Sequence, residues 1–158
     1  MPLCEPAARP PVDVLRVSHV ELGVSDLERS LAFYQGALGM VVSARDDDSV
    51  WLRGLEDASH HCLVLRREKP GVCLGIGLRV RSEEDLDRAA EHFGRVGRVE
   101  ARLDDDRCPR GQGPTVVVRD PFGVPLSLYH HQERVERHLQ SYDRYHGTIW
   151  IFAAGVAL

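Results

Sequence analysis

Apolar and polar residues alternate along residues 15–24, the first patterned stretch of the chain. A period of two residues predicts a β-strand whose side chains point alternately to two faces. One face would carry Val17, His19, Glu21 and Gly23, and the other would carry Ser18, Val20, Leu22 and Val24. The predicted strand therefore places a histidine and a glutamate on the same side.

A helix is predicted next, because the apolar period lengthens to three or four residues after Ser25. Ser25 with Glu28 three residues later matches a capping box, and Gly39 is a suitable helix end. The apolar positions at helical spacing are Leu27, Leu31, Phe33, Tyr34 and Leu38. Three short apolar runs follow at residues 40–44, 49–54 and 62–66, separated by charged or glycine-containing turns. They predict three strands, and the unit is βαβββ.

The second half of the chain repeats this unit. Residues 75–80 match residues 19–24 at a constant offset, and Ser82 with Asp85 repeats the capping pattern before a second amphipathic helix. Strands are predicted at 98–103, 115–119 and 124–130. A repeated supersecondary unit defines architecture better than any single propensity does. The predicted fold class is α+β, with two βαβββ modules paired into a half-open cup.

The predicted organisation assigns every part of the chain. Residues 1–13 would be a flexible arm, and 14–131 a two-module domain with units 14–66 and 73–131. Residues 132–145 are predicted to form a C-terminal connector helix, because Val135, Leu139 and Tyr142 share one stripe.

Charge and composition exclude several classes of partner. The formal net charge is −4, and the 20 basic and 24 acidic residues are scattered, so no basic face is available for nucleic acid or anionic membranes.

The apolar residues 148–158 fall well short of the ~20 needed to span a bilayer. Residues 1–11 lack a secretory signal pattern, and the four cysteines form no Cys-x-x-Cys pair. A cytoplasmic location with reduced thiols is expected.

Three motifs resemble a known superfamily. Residues 19–34 (HVELGVSDLERSLAFY), 38–40 (LGM) and 120–123 (DPFG) are similar to the vicinal oxygen chelate superfamily, which includes glyoxalases, bleomycin resistance proteins and extradiol dioxygenases. Within it, residues 50–56, 60–65 and 135–145 resemble the N-terminal half of type I extradiol dioxygenases that open 3,4-dihydroxyphenylacetate. The resemblance implies a homo-oligomer acting on catechols, with Fe(II) or Mn(II) held in a second domain.

The same resemblance gives a test for a metal centre. Metal-binding domains of the family take a His from the first strand, a His from the matching strand of the second unit and a Glu from the final strand. The corresponding positions here are His19, Gly75 and Ser127. Glycine has no ligand atom, and a serine hydroxyl is a poor substitute for a carboxylate at a divalent cation. We therefore expect no catalytic, cofactor-binding or metal-binding residue in this chain. Since the family pattern stops after Tyr145, residues 146–158 are expected to reflect a truncation or a frameshift.

Alternatives stay open from the residues alone. His19 with His61 is the best residual metal-ligand pair, and Glu21 or Glu56 would have to supply a carboxylate. In the pairs His60–His61 and His130–His131, neighbouring side chains point to opposite faces of a strand, so at most one of each can enter the cup. The alternative functions are a free-standing small-molecule binding protein and a small metalloenzyme built on His19 and His61.

Two further patterns are predicted to be structural. Residues 111–114 (GQGP) precede a strand and not a helix, so they are predicted as a loop without phosphate-binding geometry. Phe33, Tyr34 and Trp51 are predicted to fill the core between helix and sheet.

Overall fold

The protein is described here as a computed structural model covering residues 10–138. The first unit contains strand β1 (Val14–Val24), helix α1 (Leu27–Gly36) and strands β2 (Val41–Arg45), β3 (Ser49–Arg53) and β4 (Leu63–Arg67). The second contains strand β5 (Cys73–Val80), helix α2 (Glu84–Arg95) and strands β6 (Val99–Leu103), β7 (Thr115–Arg119) and β8 (Pro125–Tyr129). Both units therefore have the predicted βαβββ order.

The strands form one eight-stranded sheet in the order β2-β3-β4-β1-β5-β8-β7-β6. β1 pairs antiparallel with β5 at the centre, and each of these strands pairs in parallel with the last strand of its own unit. The two halves of the sheet thus mirror each other in strand order about the β1–β5 junction. This is the paired-module architecture that the repeat predicts.

Each helix covers its own half of the sheet with a separate apolar core. In the first unit, Leu27 and Leu31 of α1 pack with Val50, Leu52, Leu63 and Leu65. In the second, Leu86 and Ala89 of α2 pack with Val80, Val116, Val118 and Leu128. Because side chains alternate along a strand, the residues between these positions lie on the opposite face of the sheet. That face carries the polar side chains considered below.

The start of α1 differs from the sequence prediction. Asp26, not Ser25, is the N-cap, and its carboxylate accepts a hydrogen bond from the Arg29 amide at 3.0 Å. A carboxylate at this position also interacts favourably with the helix dipole. Glu28 makes an ion pair with Arg45 and closes no capping box. At α2 the predicted contact is present, since Asp85 accepts a hydrogen bond from the Ser82 amide at 3.1 Å, but the N-cap is Glu83 and not Ser82.

Phe33 is not in the core, contrary to the prediction. Its side chain is 55% exposed, whereas Leu27, Leu31 and Tyr34 lie on the stripe of α1 that faces the sheet. Phe33 falls beside that stripe, two residues after Leu31, and so points away from the core. Trp51 is buried, but it alternates with Val50 and Leu52 and therefore lies on the face opposite the helix.

The predicted connector helix is absent from its described part, residues 132–138, which contain no helical residue. The backbone here bonds to the loop before β4 instead. The Val135 amide donates to the Ala58 carbonyl at 2.9 Å, and the His60 amide donates to the Glu133 carbonyl at 2.9 Å. These tertiary hydrogen bonds satisfy groups that a helix would have paired internally. The rest of the predicted helix, 139–145, the arm 1–9 and the tail 146–158 lie outside the described residues.

Candidate functional site on the face opposite the helices

Glu21 and Arg66 form an ion pair on the helix-free face of the first unit. Arg66 Nε donates to Glu21 Oε2 at 2.7 Å, and its Nη1 donates to Ser49 Oγ at 3.1 Å. Burial alone would raise the pKa of Glu21, but hydrogen bonds from His19 and Arg66 and the charge of Arg66 lower it to about 2. The Glu21 carboxylate is therefore ionised and already neutralised by an arginine.

Trp51 fills the space beside this ion pair. The guanidinium of Arg66 lies 5.9 Å from the Trp51 ring centre, and that of Arg110 lies 5.4 Å from it. Both distances are within the range of cation–π attraction. The indole thus packs against two cations on the helix-free face of the first unit.

His19 is buried between hydrogen-bonding partners. Its Nδ1 lies 3.0 Å from the Tyr129 hydroxyl, and its Nε2 lies 3.5 Å from Glu21 Oε1. His19 is 2% exposed. Burial raises the pKa of Tyr129 to about 12, so its hydroxyl stays protonated. Both ring nitrogens of His19 therefore face a polar group of the protein.

His60 and His61 complete a cluster of three histidines with His19. The expectation that only one of the pair could enter is wrong, because both precede β4 and do not alternate as residues of a strand do. The His19 and His61 ring centres are 4.6 Å apart, and the Nδ1 atoms of His60 and His61 are 2.9 Å apart. Burial, with the nearby positive potential of His19 and His60, lowers the pKa of His61 to about 3. Burial also lowers the pKa of His60. At neutral pH, His61 is therefore an uncharged hydrogen-bonding group, as a buried imidazole is expected to be.

Gln112 closes this cluster. Its side-chain amide nitrogen lies 3.4 Å from Nε2 of His19 and 3.4 Å from Nε2 of His61. The Nε2 atoms of His19 and His61 therefore face a glutamine amide rather than an open position. We name this group, His19, His60, His61 and Gln112, the histidine cluster.

The sequence prediction for residues 111–114 missed this role. The loop brings Gln112 into the cluster because Gly111 adopts φ +73°, and a Cβ on Gly111 would lie 2.5 Å from Cγ of the His60 ring. The one sequence signal for this role is that glycines flank Gln112 on both sides, since glycine lets the backbone of a loop come close to neighbouring side chains. Gln132 was missed as well. Its Oε1 accepts from Ser18 at 2.9 Å, and its Nε2 donates to the His61 carbonyl at 2.9 Å.

The positions where the family places its metal ligands do not suit Fe(II) or Mn(II). Gly75 and Ser127 line a cavity of about 320 Å³ together with Glu21 and Arg66. Gly75 supplies no ligand atom, Ser127 supplies only a neutral hydroxyl, and the nearby Glu21 carboxylate is neutralised by Arg66. Among residues 10–138, no three His, Cys, Asp or Glu side chains are grouped so that they could hold a metal ion.

Other sequence candidates lie apart from the histidine cluster. Glu56 is exposed on the loop before β4. The Nδ1 of His130 lies 3.3 Å from the Val80 carbonyl, and His131 is exposed beside a second cavity. The structure therefore brings together His19, His61 and Glu21, and leaves Glu56, His130 and His131 elsewhere.

Comparison with known proteins identifies the family. The model of the Glyoxalase/Bleomycin resistance protein/Dioxygenase superfamily matches residues 16–128, and the chain belongs to this superfamily. Its eight-stranded sheet with two helices is the vicinal oxygen chelate fold. The resemblance found in the sequence motifs is confirmed.

The similar proteins include extradiol dioxygenases. Metapyrocatechase from Geobacillus stearothermophilus is 31% identical over 76% of this chain and 36% of its own length. A manganese-dependent 2,3-dihydroxybiphenyl 1,2-dioxygenase from Geobacillus genomosp. 3 is 27% identical over 77% of this chain and 38% of its own length.

Solved structures of homoprotocatechuate 2,3-dioxygenase are also similar. The Brevibacterium fuscum enzyme in complex with 3,4-dihydroxyphenylacetate is 35% identical, with a TM-score of 0.78 over 90% of this chain and 44% of the other. The Arthrobacter globiformis enzyme is 34% identical, with a TM-score of 0.77. The chain thus spans less than half the length of these relatives. Within residues 10–138, no helix is long and apolar enough to cross a membrane.

Proposed function

We propose that the two units of this chain act as the non-metal-binding first domain of an extradiol-dioxygenase-like protein of aromatic catabolism. In this role the domain provides scaffold and a surface for assembly, and the chain by itself does not cleave catechols. Ring cleavage would take place at an Fe(II) or Mn(II) held by another domain. The expected substrates of the complete protein resemble 3,4-dihydroxyphenylacetate.

The observation that carries the proposal is the set of side chains at the three ligand positions. His19 is held between Tyr129 and Glu21, and its Nε2 faces Gln112. Gly75 and Ser127 offer neither an imidazole nor a carboxylate. A facial triad for non-haem iron needs two imidazoles and a carboxylate with open positions beside them.

Metal content and turnover test the proposal directly. The purified chain would be incubated anaerobically with Fe(II) or Mn(II), desalted, analysed for bound metal and assayed for ring cleavage of 3,4-dihydroxyphenylacetate. We expect neither retained metal nor ring-cleavage product. The Brevibacterium fuscum enzyme, treated in parallel, serves as the positive control.

A small metalloenzyme built on His19 and His61 is the competing function, since the two rings lie together. His19→Ala and the exposed-site variant His92→Ala separate the two possibilities. Stoichiometric metal and turnover that are lost in His19→Ala but kept in His92→Ala would overturn the proposal in favour of this alternative.

A free-standing binding protein is the other alternative, and the cavity of about 320 Å³ at Glu21, Arg66, Gly75 and Ser127 favours it. Calorimetric titration of the metal-free chain with 3,4-dihydroxyphenylacetate tests it. Saturable binding that Arg66→Gln abolishes would support a ligand site in the cup. The cytoplasmic location and the homo-oligomeric state stay predictions, and light scattering of the purified chain measures the latter.

A further inference from the structure

A second cavity lies apart from the cup, where β1 and β5 meet the segment after β8. Its volume is about 500 Å³. Three arginines from different parts of the chain line it, Arg16 on β1, Arg79 on β5 and Arg134 after β8. His131, Asp57, Ala58, Ser59 and Gln132 form the rest of the wall. We name this cavity the arginine pocket.

Local contacts hold the three arginines around the pocket. Arg16 Nη2 donates to Ser59 Oγ at 3.0 Å, and Arg79 Nε donates to the His130 carbonyl at 3.1 Å. A backbone bridge between Ser59 and Arg134 fixes the position of the third arginine. A guanidinium carries five N–H groups, so these bonds use only part of the donor capacity of Arg16 and Arg79 and none of that of Arg134.

The pocket has an excess of positive charge. Eight other arginines between residues 10 and 138 pair with a carboxylate, namely Arg45, Arg66, Arg67, Arg81, Arg88, Arg95, Arg102 and Arg119. Among the described residues, no carboxylate lies within ion-pair distance of Arg16, Arg79 or Arg134. Within residues 10–138, Asp57 is the one acidic residue in the wall, and its Oδ1 accepts a hydrogen bond from the Ser59 amide at 2.8 Å.

The placement of these arginines is unfavourable in the protein alone. Arg16 and Arg79 are directly paired across the β1–β5 ladder. Like charges opposite each other in antiparallel strands destabilise a sheet. An anion between the two guanidiniums would remove this repulsion and satisfy the unused donors. Guanidinium groups match the oxygen geometry of carboxylates and phosphates, with two parallel hydrogen bonds each.

We propose that the arginine pocket binds a small oxyanion, a phosphate- or carboxylate-bearing molecule, through Arg16, Arg79 and Arg134. The proposal is independent of the function proposed above, because it uses none of the residues of the histidine cluster. Ligand binding would also tie the segment after β8 to the β1–β5 junction.

Calorimetric titration of the full chain with inorganic phosphate, and separately with malonate, tests the proposal at constant ionic strength set with chloride. We expect saturable one-to-one binding of at least one probe. Removing a charge-assisted hydrogen bond weakens binding about tenfold, so Arg134→Gln and Arg16→Gln should each lower the affinity by at least that factor. The tighter of the two probes identifies the class of oxyanion.

Control variants separate loss of the binding site from unfolding and from a general loss of positive charge. Arg134 is exposed and makes no side-chain hydrogen bond among the described residues, so Arg134→Gln should keep the wild-type melting temperature in chloride. Arg134→Lys keeps the charge without the planar fork and should recover part of the affinity. Arg29→Gln, at an exposed arginine on α1, should bind as the wild type does. The absence of saturable binding, or equal weakening by Arg29→Gln, would overturn the proposal.

Discussion

His61 has no exposed surface, and its two ring nitrogens face His60 and Gln112. Such a residue stabilises the fold only while it is uncharged. The pKa of His61 is about 3 in the folded protein, against an ordinary value of 6.5. Between these values the unfolded chain binds a proton at His61 and the folded chain does not.

The first prediction follows from this difference. The free energy of unfolding should be fully maintained above pH 6.5 and fall as the pH drops toward 3. At about pH 5, protonation of His61 in the unfolded chain should lower the free energy of unfolding by about 2 kcal/mol. Urea unfolding between neutral and mildly acidic pH measures it. His61→Asn should flatten this dependence, whereas the exposed-site variant His92→Asn should keep it.

Glu21 provides an internal comparison, because its pKa is lowered from 4.5 to about 2. Its stabilising effect is present above pH 4.5 and is lost as the pH falls toward 2. Glu21→Gln should therefore change the profile only at the acidic end. The fall in the free energy of unfolding just below pH 6.5 is assigned to His61. If Glu21→Gln removed this fall and His61→Asn did not, the assignment would be wrong.

Two glycines of β5 give the second prediction. A Cβ on Gly77 would lie 2.1 Å from Cε1 of the His19 ring, whereas the nearest atom to a Cβ on Gly75 is the Pro125 carbonyl oxygen at 3.6 Å. Gly77→Ala must displace His19 and should lower the free energy of unfolding by about 3 kcal/mol. Gly75→Ala should change it by less than about 1 kcal/mol. Denaturant titration compares them, and equal effects would show that the His19 ring does not pack against Gly77.

At the scale of the element, the buried carboxylate of Asp85 connects the first turn of α2 to the chain before it. It is 0% exposed and accepts hydrogen bonds from the amides of Asp13 and Ser82, and it also pairs with Arg88. Burial alone would raise the pKa of Asp85, but these hydrogen bonds hold it below its ordinary value. The carboxylate links the start of the helix to the chain before β1.

The third prediction compares two aspartates of α2. Asp85→Ala leaves donors from Asp13, Ser82 and Arg88 without their acceptor and should cost about 3 kcal/mol of stability. Asp87→Ala removes an exposed pair with Arg102 and should cost less than about 1 kcal/mol. Thermal and denaturant unfolding of both variants checks this. If Asp87→Ala lowered the stability as much as Asp85→Ala, the role given to Asp85 would be wrong.

At the scale of the whole molecule, the β1–β5 ladder joins the two units into one sheet. The ladder extends from Val14↔Val80 to Leu22↔Cys73 at the centre of the strand order. Each helix core belongs to a single unit, so the sheet is the main physical link between them. Because neither central strand can separate without breaking this ladder, we expect both units to unfold together.

The fourth prediction tests this coupling with a probe in one unit and a change in the other. Trp51 reports on the first unit, and Trp150→Phe removes the second tryptophan. Leu128→Val in the core of the second unit should lower stability by about 1 kcal/mol. It should shift the Trp51 fluorescence transition and the far-ultraviolet circular dichroism transition equally. A shift confined to the circular dichroism signal would mean that the units unfold separately.

The sequence by itself determined the order and type of the elements. Periods of two residues and of three to four residues are local signals, and within residues 14–129 each predicted strand and helix is present within a few residues of its predicted bounds. The repeat added the pairing of two units, because modules of the same βαβββ order bury equivalent faces. The resemblance to the family further assigns the metal-ligand positions to His19, Gly75 and Ser127, and this assignment stays a prediction.

Only the tertiary structure decided what surrounds those positions. Gln112 reaches His19 across 93 residues of sequence and His61 across 51. Residues 132–138 form no helix because the loop before β4 supplies hydrogen-bond partners to their backbone, although the local pattern favours a helix. The arginine pocket likewise combines residues from β1, β5 and the segment after β8. No local pattern encodes such contacts, since their free energy depends on groups that only folding brings together.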